Sequence, residues 1–255
     1  MEPQLSTIEA GAEKRRLATL SRSGRSPTIV WLGGFKSDMR ATKAEALDAH
    51  AAACGRAFLR FDYSGHGESG GDFADGTIGA WREDALAVIE ALAGPAPIFV
   101  GSSMGGWIAL LIALALKEKG SPQAPSGLVL IAPAVDFTEA LMWAQLPDAA
   151  RRDIEEKGAW LRPSDYSPNP YPITRALIED GRRHLLFGRP IEPGCPVHIL
   201  QGMRDPDVPW RHAMTLVEHL PSDAVTLTLI KDGDHRLSRE QDIATLIRAV
   251  EGLAA

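Results

Sequence analysis

The chain has little cysteine, few aromatic residues and no excess of positive charge. Two cysteines in 255 residues, Cys54 and Cys195, cannot build a disulfide framework, and no C-x-x-C spacing points to zinc. Two reduced thiols in a cytoplasm-like compartment are the expectation. Lys and Arg number 27 against 33 Asp and Glu, a net charge of -6, which argues against nucleic-acid binding as the main task. Lys14-Arg15-Arg16 and Arg182-Arg183 have acidic residues close by and read as solvated faces. The opening residues MEPQLSTIEAGAEKRR lack an apolar stretch, so neither a secretory signal nor a transit peptide is expected, and the expected location is cytoplasmic. There is no internal repeat and no low-complexity tract.

Charge-free stretches of membrane-spanning length are also scarce, with one that needs testing. IFVGSSMGGWIALLIALAL, residues 98–116, is long enough for a bilayer. Gly101, Gly105 and Gly106 with Ser102 and Ser103 break its first half, however. A strand, a turn and a buried helix account for it better than a span.

What is present is an alternation of short apolar runs with longer amphipathic segments. PTIVWLGG is continuously apolar, as expected of a strand covered on both faces. The helical stretch ATKAEALDAHAAACG follows, with Gly55 placed to end it. AFLRFDYSGHG, PIFVGSS and SGLVLIAPA read as further strands, and WREDALAVIEALAG sets Trp81, Ala85, Val88, Ile89 and Leu92 on one helical face. From about 135 to 193 the alternation lapses into helical pieces, prolines and aromatics without a clear strand. A long insertion of this kind in an α/β domain is the pattern of a lid. Alternation then resumes with CPVHILQG, WRHAMTLVEHL, AVTLTLI and REQDIATLIRAVEGL. The expectation is one α/β domain over 1–255: a mostly parallel central sheet, helices on both faces and a helical lid insertion at 135–193.

Gly101-Ser102-Ser103-Met104-Gly105 fits G-x-S-x-G between a buried strand and an apolar helix. Flanking glycines let the chain turn tightly and leave the central hydroxyl projecting. Only Ser103 keeps glycines in that register; Ser102 would be flanked by Val100 and Met104. A serine nucleophile needs a general base and an acid to orient it, in the chain order Ser, Asp or Glu, His. Asp205 lies just past one strand end, with Asp207 the neighbouring alternative, and His235 lies just past the next. His212 and His219 fall in a helical segment, and His66, in DYSGHGES, reads as a residue that shapes its loop. Two backbone N–H groups should receive the oxyanion: Met104, directly after the nucleophile, and Phe35, after Gly33-Gly34. Met142, Trp143 and Trp160, with Leu146, either line an acyl pocket or form the insertion's own small core; both readings stay open.

These residues resemble an α/β-hydrolase, and within that family the branch of mitochondrial depalmitoylating thioesterases and acyl-glucuronide esterases. The resemblance runs through PTIVWLGGFKSDMRATKAEAL, FLRFDYSGHGES, GSSMGGW, LPDAARRDIEEKGAWLRPSDYS, CPVHILQGMRDPDVPW and DHRLSR. It implies the α/β-hydrolase fold, Ser103, Asp205 and His235 as a catalytic triad, and ester or thioester hydrolysis by way of an acyl-enzyme. It implies a small-molecule or acylated substrate; the acyl-enzyme mechanism requires no cofactor or metal, and the charge and the broken apolar stretch lead to the expectation of no nucleic acid and no membrane span. A peptidase or haloperoxidase-like activity on the same fold, or a non-catalytic binding module, are the competing expectations.

Overall fold

The computed structural model describes residues 2–163, 170–221 and 224–254. Eight strands form one sheet in the order β1-β2-β4-β3-β5-β6-β9-β10. They are β1 (Gln4–Ala10), β2 (Arg15–Arg22), β3 (Arg25–Leu32), β4 (Arg56–Phe61), β5 (Ile98–Ser102), β6 (Gly127–Ile131), β9 (Val197–Gly202) and β10 (Val225–Ile230). From β4 to β10 every neighbour pairs in parallel, whereas β2 runs antiparallel to both β1 and β4. The helices between strands of this sheet are α1 (Thr42–Cys54), α2 (Ile78–Leu92), α3 (Met104–Glu118) and α6 (Trp210–His219), and α7 (Glu240–Leu253) follows β10.

Strand periodicity explains why the apolar runs are unbroken. Val30 and Leu32 belong to a core on one face with Trp81, Val88 and Ile89 of α2 and most of α3. Ile29 and Trp31, the alternating residues, belong to a second core on the other face with Leu47 of α1 and Leu246 and Val250 of α7. A strand sandwiched between helices has no solvent face, so no position in it favours a polar side chain. α3 is buried on almost its whole circumference, as its uniformly apolar sequence requires. The charge-free stretch 98–116 is thus β5, a turn and α3, and among the described residues no helix is long and apolar enough to cross a membrane. α1 ends at Gly55 in the left-handed region, φ 66°. Of the α2 face read from the sequence, Trp81, Ala85, Val88 and Ile89 are buried, while Leu92 in the last turn is exposed.

Two features differ from the sequence reading. The β1–β2 hairpin precedes the first strand expected; β1 is an edge strand exposed along much of its length, so it carries too few apolar residues to stand out. The second lies between β6 and β9, where the expected strandless insertion contains an antiparallel pair, β7 (Ala159–Arg162) and β8 (Tyr171–Thr174), with Trp160 opposite Ile173. Each strand is only four residues long and β8 contains Pro172, which conceals them from periodicity. The segment also holds a π-helical turn at Thr138–Met142, 3-10 turns at Trp143–Gln145 and Arg182–His184, α4 (Asp148–Lys157) and α5 (Arg175–Gly181). Residues 164–169 of the segment lie outside the described residues.

The strand order determines where a site can form. From β3 the chain turns to one side, to β4, and later returns to the other side, to β5. Loops leaving the carboxyl ends of β3 and β5 therefore diverge and leave a crevice, the place where open parallel sheets bind ligands.

Candidate active site

Ser103 occupies the turn between β5 and α3 with φ 54° and ψ -117°, a conformation a non-glycine residue adopts only when its surroundings hold it there. Its N–H donates to the Ile131 carbonyl at 2.8 Å, and its carbonyl accepts the N–H groups of Gly106 (2.9 Å) and Ala134 (3.1 Å). The flanking glycines are required by close approach. A Cβ on Gly101 would lie 2.4 Å from the Gly105 carbonyl oxygen, and one on Gly105 would lie 2.1 Å from that of Leu32. Ser102 is the last residue of β5 and stays in the ladder opposite Ile131. The serine that the register argument picks out, Ser103, is thus the one in the turn, and Ser102 is not.

Asp205 and His235 leave the carboxyl ends of β9 and β10. His235 Nδ1 and Asp205 Oδ2 are 2.8 Å apart. The Asp205 side chain is fully buried, yet its oxygens are well supplied with donors. Oδ1 accepts the N–H groups of Asp207 and Val208 at 2.8 Å each, and Oδ2 accepts Gln201 Nε2 at 3.2 Å. Buried carboxyl oxygens need such donors in place of water. Asp207, the alternative, is exposed and serves Asp205 through its backbone. His212 Nε2 hydrogen-bonds to the Val135 carbonyl at 2.8 Å and belongs to the packing.

The loop after β3 comes up against Ser103. A Cβ on Gly34 would sit 3.3 Å from the Ser102 carbonyl oxygen and 3.4 Å from Ser103 Cβ. Ser37 N–H closes a turn onto the Gly34 carbonyl at 3.1 Å, with Phe35 inside it. Met104 opens α3, where the first N–H groups of a helix have no partner within it. Phe35 and Met104 thus lie on the two segments that flank the Ser103 side chain.

Ser103, His235, Gly34 and Phe35 border a cavity of about 570 Å³, within the size range of small-molecule sites. The segment between β6 and β9 contributes Phe137, Leu141, Met142 and Tyr171 to its wall. Of the three residues read as a candidate acyl pocket, Met142 borders this cavity. Trp143 and Trp160 do not: both pack against the core as half-buried side chains. Trp143 also carries the guanidinium groups of Arg182 and Arg151 over its ring, at 4.9 and 5.7 Å. Leu146 is buried in the core as well. Phe137, Leu141 and Tyr171 were missed. Phe137 and Leu141 stand four apart, one helical turn, and that spacing is the only signal the sequence offers for them.

Lys43 also borders the cavity, donating to the Arg236 carbonyl, and burial lowers its pKa to about 8. A second cavity, about 430 Å³, lies at the opposite ends of β9 and β10 and includes Cys195, whose thiol is pushed up to about 11 by burial. A thiol so hard to ionise is a poor nucleophile. Two groups among the described residues bring three potential metal ligands together. In one, Asp205, Asp207 and His235, the Asp205 oxygens already receive four donors. In the other, Glu251 is engaged by His50 Nε2 at 2.9 Å and Arg56 Nε at 3.5 Å, with Cys54 beside His50.

Residues 29–249 match the model of the alpha/beta hydrolase family. The chain belongs to that family. The family match spans the sheet from β3 and the loops that carry Ser103, Asp205 and His235. The chain is 38% identical over 238 residues to the bovine protein named palmitoyl-protein thioesterase ABHD10, mitochondrial, covering 93% of this chain and 76% of that one. It is 37% identical to the human protein of that name over the same shares. Among solved structures it is similar to a putative hydrolase from Agrobacterium vitis S4, with TM-score 0.94, 50% identity and coverage of 100% and 99% of the two chains. It is also similar to mouse alpha/beta hydrolase domain-containing protein 10, with TM-score 0.87, 36% identity and coverage of 98% of each.

Proposed function

We propose that this hydrolase cleaves carboxylic esters or thioesters through an acyl-enzyme on Ser103. The observation that carries the reading is the buried Asp205 carboxylate 2.8 Å from His235 Nδ1, at the rim of the cavity that Ser103 borders. With Nδ1 bound to Asp205, Nε2 is the nitrogen left to take the Ser103 proton. Ser103 Oγ then attacks the acyl carbonyl, and the N–H groups of Phe35 and Met104 receive the oxyanion. Collapse of the tetrahedral intermediate expels the thiol or alcohol, which takes the proton from His235. Water, deprotonated by the same Nε2, attacks the acyl-enzyme and releases the acid, returning Ser103 to its starting state.

Proteins named palmitoyl-protein thioesterase, similar over most of this chain, support an acyl thioester or acyl ester as substrate. Phe35, Phe137, Leu141 and Met142 supply apolar wall for an acyl chain, and each buried methylene is worth about 0.8 kcal/mol. In this reading the segment 135–193 acts as a lid, and the leaving group is a thiol, as in acyl-protein or other acyl thioesters, or a sugar, as in acyl glucuronides.

A fluorophosphonate probe tests the proposal. Wild type should label at one equivalent per chain, and Ser103→Ala should not label at all. Labelling that survives the substitution overturns the nucleophile. Hydrolysis of acyl thioesters and esters of graded chain length, run beside peptide substrates and a halide-dependent peroxidation assay, separates this activity from others the fold supports. Turnover confined to peptides or to peroxidation would overturn the ester and thioester reading.

A further inference from the structure

His66 is buried, 4% exposed, in the loop after β4, and its hydrogen bonds go to neither Ser103 nor Asp205 nor His235. Its contacts lead elsewhere. Nε2 lies 3.2 Å from the backbone nitrogen of Lys36, and Nδ1 lies 3.2 Å from the carbonyl oxygen of Ser64. A peptide N–H can only donate and a carbonyl can only accept, so these partners fix the tautomer: hydrogen on Nδ1, a bare lone pair on Nε2. The ring is wedged edge-on among Tyr63, Phe73 and Trp81, with centroids 5.2–5.8 Å away, and has little room to flip. Its anchor is fixed in turn. The Ser64 carbonyl also accepts Trp81 Nε1, and the Ser64 N–H and hydroxyl both donate to Asp84 at 2.9 and 2.6 Å.

Lys36 directly follows Phe35 and has φ 57°, a conformation costly for a lysine unless something holds it. The same loop after β4 grips the loop after β3 again three residues on. Asp62 Oδ1 accepts the Met39 N–H at 2.6 Å while its other oxygen accepts the Glu68 N–H at 2.7 Å. Arg60 donates to the Met39 carbonyl at 2.9 Å. The segment carrying Phe35 is therefore pinned by Gly34 against Ser103 on one side and by His66 and Asp62 on the other.

We propose that His66 is a positioning residue for the oxyanion-binding loop: its bare Nε2 accepts the Lys36 N–H and so fixes the direction in which the neighbouring Phe35 N–H points. The inference rests on the serine-hydrolase reading of the site. A second proton would set Nε2–H against the Lys36 N–H, donor against donor, and the grip would fail. The charged and titratable groups facing the ring are Lys36 on the loop after β3, Asp84 on α2 behind Ser64, and the adjoining Tyr63. Burial, the largest influence, pulls the imidazole below its ordinary pKa; the Ser64 contact and Asp84 oppose it, and Lys36 assists. The neutral form that the loop needs is the one its surroundings favour.

The test compares His66→Phe, which keeps a planar ring but has no acceptor, with His66→Gln, whose amide oxygen can accept the Lys36 N–H. Rates are expressed per Ser103 titrated with fluorophosphonate, so a loss of folded enzyme does not register as a loss of kcat. A missing oxyanion donor costs roughly 10²–10³ in kcat, and a misdirected one should cost about 10- to 100-fold. His66→Phe should lose that factor in kcat with KM within about threefold, and should lose a similar factor in affinity for an acyl trifluoromethyl ketone, whose adduct places an oxyanion in the hole. His66→Gln should recover most of both. In wild type, imidazole 15N NMR should show the Nδ1–H tautomer. The proposal is overturned by unchanged kcat and ketone affinity in His66→Phe, by equal losses in the two variants, or by an Nε2–H tautomer in wild type. Should Ser103 itself not label, the serine-hydrolase reading falls and the inference with it, whereas intact labelling with an unmoved kcat removes only the role of His66.

Discussion

At the scale of single residues, Asp205 and Asp207 are separated by what surrounds them. Two residues apart in MRDPDVP, both follow a strand, and sequence spacing alone admits either. The structure distinguishes them by burial and donors: Asp205 is enclosed and receives four hydrogen bonds, including that of His235, while Asp207 is exposed and contributes its backbone N–H to Asp205. Asp205→Asn should lower kcat by about 10³- to 10⁴-fold, because an amide can present its NH2 to Nδ1 and favour the wrong imidazole tautomer. Asp207→Asn leaves that backbone bond intact and should stay within a few fold of wild type. Steady-state hydrolysis of one ester by both variants decides the matter, and a large loss confined to Asp207→Asn would reverse the assignment. The donors that single out Asp205 come from backbone geometry and from Gln201, which no residue spacing discloses.

At the scale of elements, the strand–turn–helix around Ser103 was the most legible part of the chain. Its signal is local: an apolar run, glycines in one register and an apolar helix. The structure adds that Gly101 lets α3 approach β5 and Gly105 lets it approach β3. A Cβ on Gly105 would come within 2.1 Å of the Leu32 carbonyl oxygen, backbone that cannot rotate away. Gly105→Ala should therefore push α3 off β3, cost about 1–3 kcal/mol of stability and disturb Gly34 beside Ser103. Gly252→Ala is the control, since nothing lies within 4 Å of a Cβ there, within α7. It should be neutral or gain about 0.5–1 kcal/mol, as alanine does over glycine inside a helix. Denaturant midpoints with activity per labelled serine read both, and equal stability in the two variants would refute the close-packing argument. The hairpins β1–β2 and β7–β8 were illegible for the opposite reason. β1 lies at the sheet edge and is exposed along much of its length, and β7 and β8 are four residues each, so neither hairpin carries a clean alternation over enough residues. Trp143 and Trp160 were ambiguous in the same way, because a half-buried tryptophan serves a core or a pocket equally well. Only the position of the cavity separates the two uses.

At the scale of the whole molecule, the site draws on loops after β3, β5, β9 and β10, so it exists only when strands from both halves of the chain are in register. The alternation of apolar runs and helices made the parallel sheet readable, because a strand buried on both faces cannot hide its composition. Strand order was not readable, since it is decided by which helices cover which face. His235 follows β10, an edge strand that pairs with β9 alone and whose residues are all half-buried or exposed. Ser103 follows β5, which is fully buried in the middle of the sheet, while Trp31, Trp81 and Trp107 sit in the cores around it. Edge strands open more easily than central ones. In the proposed reaction the base is therefore carried by a weaker part of the molecule than the nucleophile. In rising denaturant, ester hydrolysis should vanish at a lower concentration than the tryptophan fluorescence change. Coincident midpoints would show that β10 opens only with the rest. If the midpoints separate, the protein has a silent interval in which the sheet still stands and the serine is in place, but no base reaches it.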